Sequence, residues 1–217
     1  RPDILKKRGN PNSDDLLSRF SGKEMTFRLQ DGALEVNASN PKVSELRFRL
    51  RNVPCNGPDL FVSVTAQGNA MVGYPSQAAR RMYVGVAQNG RQADNNNRFM
   101  TWMNGGDFDS GFYFSNVESN QVDLEFVVEG SEPIRIRRLQ AYAYPDVIYR
   151  PFENGLVLAN PSPHPYVFDL DKLFPGQTFR RLKGSATQDP ICNDGSVVRR
   201  ELNLGPKDGL FLIRVAE

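Results

Sequence analysis

Residues able to do covalent chemistry are sparse in this chain. Its one histidine, His164, stands among Pro161, Ser162, Pro163 and Pro165, a turn composition that suits a surface residue better than a general base. A Ser-His-Asp arrangement or a histidine-based zinc site needs more partners than this. No glycine-rich phosphate loop leads into a helix. Glycosidic bond cleavage needs only two carboxylates at a set separation, and Asp107 and Asp109, flanked by Gly105, Gly106 and Gly111, are the nearest such pair. Two other readings stay open for them. They could form Asx hydrogen bonds within a turn, or give oxygen ligands to a structural Ca2+, although their spacing completes no calcium loop. No other cofactor and no catalytic residue is expected.

Non-covalent recognition is better supplied. Sugars present apolar C–H faces and many hydroxyls, which aromatic rings and Asn, Asp, Arg or Gln side chains hold. The stretch 74–113 is dense in both kinds: Tyr74, Arg81, Tyr83, Asn95, Asn97, Arg98, Trp102, Asn104, Asp107 and Tyr113. Trp102 is the only tryptophan. If Phe99, Thr101 and Met103 face a core, Trp102 and Asn104 share the opposite face. Both registers contain large apolar residues, so a core position for Trp102 stays open.

Arginine is the second feature. Of 27 basic residues, 20 are Arg, the better bidentate partner for carboxylate, phosphate or sulfate. Arg47, Arg49 and Arg51 alternate with Leu46, Phe48 and Leu50, and Arg28, Arg81, Arg135 and Arg137 fall on equivalent polar faces. Stacked like charges repel unless anions lie between them. Glu35, Glu45, Asp123 and Glu125 are the expected partners. The competing expectation is a cationic platform for a sulfated or uronic polysaccharide.

Period-two alternation runs through the whole chain and predicts an all-β protein. About nine short strands make a jelly-roll β-sandwich over 21–147, followed by a smaller β-sandwich over 148–217. Asp31 and Gly32 predict a tight hairpin turn. Residues 1–20 read as a linker, or the tail of a preceding domain, with one helical turn. The connection 144–151 carries two prolines and no glycine, so it is expected to be stiff. A net charge of +2 gives no reason to expect nucleic acid, and no apolar run has membrane-spanning length. The first residues lack an apolar signal region and a Met, as expected of an excised domain. Cys55 and Cys192 leave one disulfide or two free thiols open.

Four segments near the end carry a family likeness: ENGLVLANPS at 153–162, FRRLKG at 179–184, QDPICNDG at 188–195 and LGPKDGLFLIR at 204–214. Together they resemble the small all-β domain that follows the catalytic barrel in many glycoside hydrolases. Residues 21–147 resemble jelly-roll carbohydrate-binding modules through their strand pattern and the final strand IRIRRLQAY at 134–142. Agarases and related marine galactanases carry such sandwiches, and the arginine content points to that group. The resemblance implies a non-catalytic, extracellular or periplasmic part that targets an attached glycoside hydrolase to polysaccharide, of agar type or a sulfated galactan. That family's catalytic carboxylates sit on a barrel, so none is carried over here. Two other classes compete. A structural pair bracing a barrel would show a flat apolar face and no glycan affinity. A jelly-roll polysaccharide-degrading enzyme would use Tyr83 beside Arg81.

Overall fold

The structure, a computed structural model, describes residues 4–5, 13–68, 79–93 and 97–215. It contains two compact units, Arg1–Tyr144 and Pro145–Glu217. Two of the candidate residues, Tyr74 and Asn95, lie outside the described residues.

Unit 1 is a sandwich of two five-stranded antiparallel sheets. The first runs β1 (Phe20–Ser21), β4 (Glu45–Pro54), β9 (Gln121–Glu129), β6 (Arg80–Ala87), β7 (Arg98–Met103). The second runs β2 (Met25–Gln30), β3 (Ala33–Ala38), β10 (Ile134–Tyr142), β5 (Leu60–Gly68), β8 (Phe108–Phe114). The orders β4-β9-β6-β7 and β3-β10-β5-β8 are those of a jelly roll, in which spatial neighbours come from distant parts of the chain. The alternation read from the sequence explains the layers. Leu46, Phe48 and Leu50 of β4, Leu60, Val62 and Val64 of β5, and Val122, Leu124, Phe126 and Val128 of β9 are all buried in one core. Burying each such side chain stabilises by about 1.5–3 kcal/mol. Phe48 and Phe126 are direct partners across the ladder and stack with ring centroids 4.8 Å apart.

The Asp31-Gly32 turn forms as expected. Gln30 pairs with Ala33, and the two turn residues have φ of 52° and 71°. Both angles positive is the type I′ geometry that matches strand twist. Among the described residues before 21, several pack against the sandwich. The short helix α1 (Ser13–Leu17) and β1 send Leu16 and Phe20 into the core, where Leu5 joins them. Ile4 N donates to Leu139 O at 2.8 Å.

Unit 2 has a sheet in the order β11 (Ile148–Phe152), β12 (Gly155–Asn160), β17 (Asp208–Arg214), β14 (Phe179–Arg181), β15 (Val197–Val198). A two-stranded sheet joins β13 (Tyr166–Asp169) to β16 (Glu201–Leu204). Leu156, Leu158, Phe168, Phe179, Leu202 and Leu212 share its core. The sequence pattern carries a strand through Leu170, but the strand stops at Asp169. There the carboxylate caps the turn α2 (Leu170–Leu173), accepting from Lys172 N at 3.0 Å. Neither Cys55 nor Cys192 forms a disulfide. Among the described residues no helix is long and apolar enough to cross a membrane.

Candidate functional site

The register of β7 decides which way Trp102 points. Arg80 pairs with Met103, Arg81 with Trp102, Met82 with Thr101 and Tyr83 with Met100. Met82, Val84 and Met103 are buried, so the alternate residues Arg81, Tyr83, Met100 and Trp102 face outward from the first sheet. Trp102 is 48% exposed and Met100 44%. A tryptophan left half in water on the edge strand of a well-packed sandwich is not needed by the core.

Three ladder rows cross this outer face. In the first, Trp102 pairs with Arg81 and Glu129 with Glu45, and the Arg81 side chain joins the two pairs. Met100, Tyr83, Val127 and Arg47 form the second. Arg98, Gly85, Glu125 and Arg49 form the third. The third row is closed over on one side. A Cβ on Gly85 would stand 2.5 Å from Ala93 Cβ and 3.1 Å from Asn97 O, so only glycine lets the connection beyond β6 lie on the sheet there. Asn97 O accepts from Val86 N at 2.9 Å, and Arg98 Nη2 donates to Ala93 O at 3.1 Å. The second row carries aromatic and thioether groups at one end, with Met100 exposed, Tyr83 half-buried and Val127 buried. At its other end is a cleft of about 430 Å³ lined by Lys23, Arg47, Arg49, Gln92, Glu125 and Val127. A polar depression of about 450 Å³ shares Arg49 and Gln92 with it and adds Asn52, Gln88, Asn89 and Gln121.

The arginines of this face are partnered. Arg81 forks onto Glu129, with Nη2 at 2.5 Å from Oε1 and Nε at 3.2 Å from Oε2. That hydrogen bonding holds the Glu129 carboxyl below the usual carboxylate range and pushes the Arg81 pKa up. Arg47 reaches Glu45 at 2.6 Å. Arg49 bonds Glu125 and lies 3.4 Å from Asp123. On the other sheet Arg135 pairs with Glu35 at 3.3 Å. The anions expected between the arginines are therefore in place. Arg51 leaves the ladder, because the register slips between Leu50 and Val53. Its carbonyl instead accepts from Arg19 Nη2 at 2.9 Å.

Not all the candidates share one place. Arg81, Tyr83, Arg98 and Trp102 lie on the outer face of the first sheet, and Asn97 borders it. Tyr113, Asp107 and Asp109 do not. Between β7 and β8 the chain crosses to the second sheet, whose outer face points the opposite way. There Tyr113 is the partner of Phe61, and its hydroxyl donates to Asp59. Asp107 pairs with Arg137 at 2.8 Å and Asp109 with Arg138 at 2.9 Å. Asp109 also accepts from Thr65, which chiefly holds its carboxyl below the usual range. The two carboxylates are thus tied to separate arginines. Asn104 is spent on the crossing itself: its side chain accepts from Gly106 N at 2.9 Å and its carbonyl from Gly68 N at 2.7 Å. Among the described residues no group of three or more His, Cys, Asp or Glu could hold a metal ion. Met100, Val127 and Glu129 complete the face with Arg47 and were not among the candidates. Val127 did leave a trace, as the one apolar residue on the polar phase of β9, after Asp123 and Glu125.

Fold and face together define a jelly-roll sandwich whose first sheet carries the exposed Trp102 and Met100 beside a half-buried Tyr83. No family model and no curated protein sequence matches the chain. The solved structures that resemble it are mostly carbohydrate-binding modules and glycoside hydrolase chains. A carbohydrate-binding module, CBM4, is 13% identical with a TM-score of 0.42, over 54% of this chain and 74% of that one. TmCBM61, solved with β-1,4-galactotriose, is 13% identical with a TM-score of 0.39, over 57% of this chain and 86% of that one. An agarase, AgWH50C, is 9% identical with a TM-score of 0.45, and this chain spans 26% of its length. None of these likenesses assigns a ligand to this chain.

Proposed function

We propose that unit 1 is a non-catalytic carbohydrate-binding module whose ligand lies on the outer face of its first sheet. The observation that carries this reading is the group of Trp102 and Met100, exposed on adjacent rows with the half-buried Tyr83, beside a forked Arg81–Glu129 pair. A ring stacks on the C–H face of a sugar, and a guanidinium beside a carboxylate offers donors and acceptors to the hydroxyls around it. The polysaccharide is a galactan of agar type, the attached domain is a glycoside hydrolase, and the protein works outside the cytoplasm.

A second reading applies to unit 2, and one observation favours it. The outer side of its sheet leaves Phe152, Val197 and Phe211 about half exposed or more, at 49%, 52% and 61%. Arg150 sits over the Phe152 ring at 5.3 Å. An apolar face of this kind supports a bracing role against the attached enzyme.

Titration of soluble galactan, glucan and xylan into the protein tests the binding reading. Trp102→Ala and Tyr83→Ala should each cost about 1–3 kcal/mol, by analogy with bases stacked on aromatic side chains. Both side chains lie outside the core, so thermal unfolding should stay within about 0.5 kcal/mol of the parent. Unchanged affinity in both folded variants would remove this face as the site.

A further inference from the structure

The charges of the candidate face point to the chemical class of its ligand. Four arginines stand on its rows: Arg47, Arg49, Arg81 and Arg98. Four carboxylates stand on or beside the same rows: Glu45, Asp123, Glu125 and Glu129. These eight sum to zero, while Lys23 and Arg91 add positive charge at the cleft and the depression beside them. The charges are also matched locally. Arg47 is held by Glu45, Arg49 by Glu125 and Asp123, and Arg81 by both oxygens of Glu129. Arg98 is turned to the Ala93 carbonyl.

We infer that Glu45, Glu125 and Glu129 make this face reject anionic glycans, so that it takes an uncharged polysaccharide, with Glu129 setting that choice beside Trp102. The inference rests on the binding reading above and adds the charge class to it. A sulfate ester set down by Trp102 and Tyr83 would meet Glu129, bonded to Arg81, with Glu45 beyond it. It could reach only the Arg81 N–H groups that the bidentate Glu129 carboxylate leaves free beside itself. That carboxylate would repel it, and like-charge contacts of this kind are what exclude wrong partners. A neutral sugar meets no such opposition. Its hydroxyls donate to the outward oxygens of Glu129 and accept from the N–H groups of Arg81 without parting the pair.

The test uses soluble galactan, glucan and xylan, each as the neutral polymer and after chemical sulfation. Each is titrated into the whole protein at about 0.01 M and about 1 M salt, where the screening lengths are roughly 30 and 3 Å. The neutral form of whichever backbone binds should change in Kd by less than about twofold between the two salts. Its sulfated form should bind at least about tenfold more weakly at low salt, since each 1.4 kcal/mol of like-charge cost is tenfold. Glu129→Gln should narrow that gap, the ratio of the sulfated to the neutral Kd falling whatever the change in neutral-form affinity. Glu45→Gln, further from Trp102, should do so less. If the sulfated polymer binds the parent protein more tightly at low salt and releases at high salt, the charge inference falls and the binding reading stands. If no polymer binds in either form, the binding reading falls and this inference with it.

Discussion

Arg80→Met should destabilise unit 1 by about 3–5 kcal/mol, the usual consequence of removing one member of a buried charged network. Arg80 begins β6 on the inward phase, in line with Met82 and Val84, and it is fully buried. Its Nε donates to Glu129 O at 2.6 Å, and its terminal nitrogens lie 3.4 Å from Gly130 O and 3.5 Å from Pro133 O. The guanidinium thus gathers the carbonyls of the turn that carries the chain from β9 in one sheet to β10 in the other. Burial lowers its pKa, while the nearby carboxylates of Glu132 and Glu129 favour the charged form. Methionine fills similar space but donates nothing, so buried carbonyls lose their donor and an acidic pair loses its counter-charge. Arg80→Lys should recover only part of the loss, because one ammonium cannot span three carbonyls in a planar fork. Urea denaturation followed by Trp102 emission reads unit 1, since the only tryptophan lies there. A loss below about 0.5 kcal/mol would show that the turn holds without it.

Asn160 should matter comparably in unit 2. It is fully buried, and its amide nitrogen lies 2.8 Å from both His164 O and Gly205 O. Its Oδ1 accepts from Ser162 N at 3.2 Å and lies 2.7 Å from Ser162 Oγ. One side chain therefore closes the 160–164 turn on itself and ties it to the end of β16. Asn160→Ala should cost about 2–4 kcal/mol, since two buried carbonyls lose their donor at roughly 1–3 kcal/mol each and part is regained by relaxation. Asn160→Asp is the sharper test. It keeps the shape but faces two carbonyls with a carboxylate, so it should cost at least as much at neutral pH. Near-wild-type stability of the aspartate variant, read by tyrosine near-ultraviolet dichroism, would contradict this. The asparagine belongs to the sequence segment 153–162 singled out for its family likeness, and its role there is to hold a turn.

The sequence was most legible where one face of a strand meets a core. The alternation in β4, β5 and β9 and the Asp31-Gly32 turn were set by side-chain period and backbone preference, which are local. The outward phase of Trp102 needed one non-local fact, the pairing of Arg81 with Trp102 across β6 and β7. The candidate stretch 74–113 was read as a single surface because its residues are close in sequence. A jelly roll breaks that assumption between Met103 and Phe108, where the chain leaves one sheet for the other and turns Tyr113 to the opposite side. The arginine ladder hid its answer in the same way. The carboxylates that hold Arg49 and Arg81 lie on β9, dozens of residues away, and only the sheet order brings them alongside.

The most direct test of the binding face uses Trp102 itself, the only tryptophan in the chain. Its emission reports one ring on one row of the first sheet. Titration with neutral polysaccharide should shift that emission to shorter wavelength as the half-exposed ring leaves water. The same addition should shield it from quenching by acrylamide, with a midpoint equal to the Kd from calorimetry. Calorimetric binding with Trp102 emission and quenching unchanged at saturation would contradict the account and move the site elsewhere.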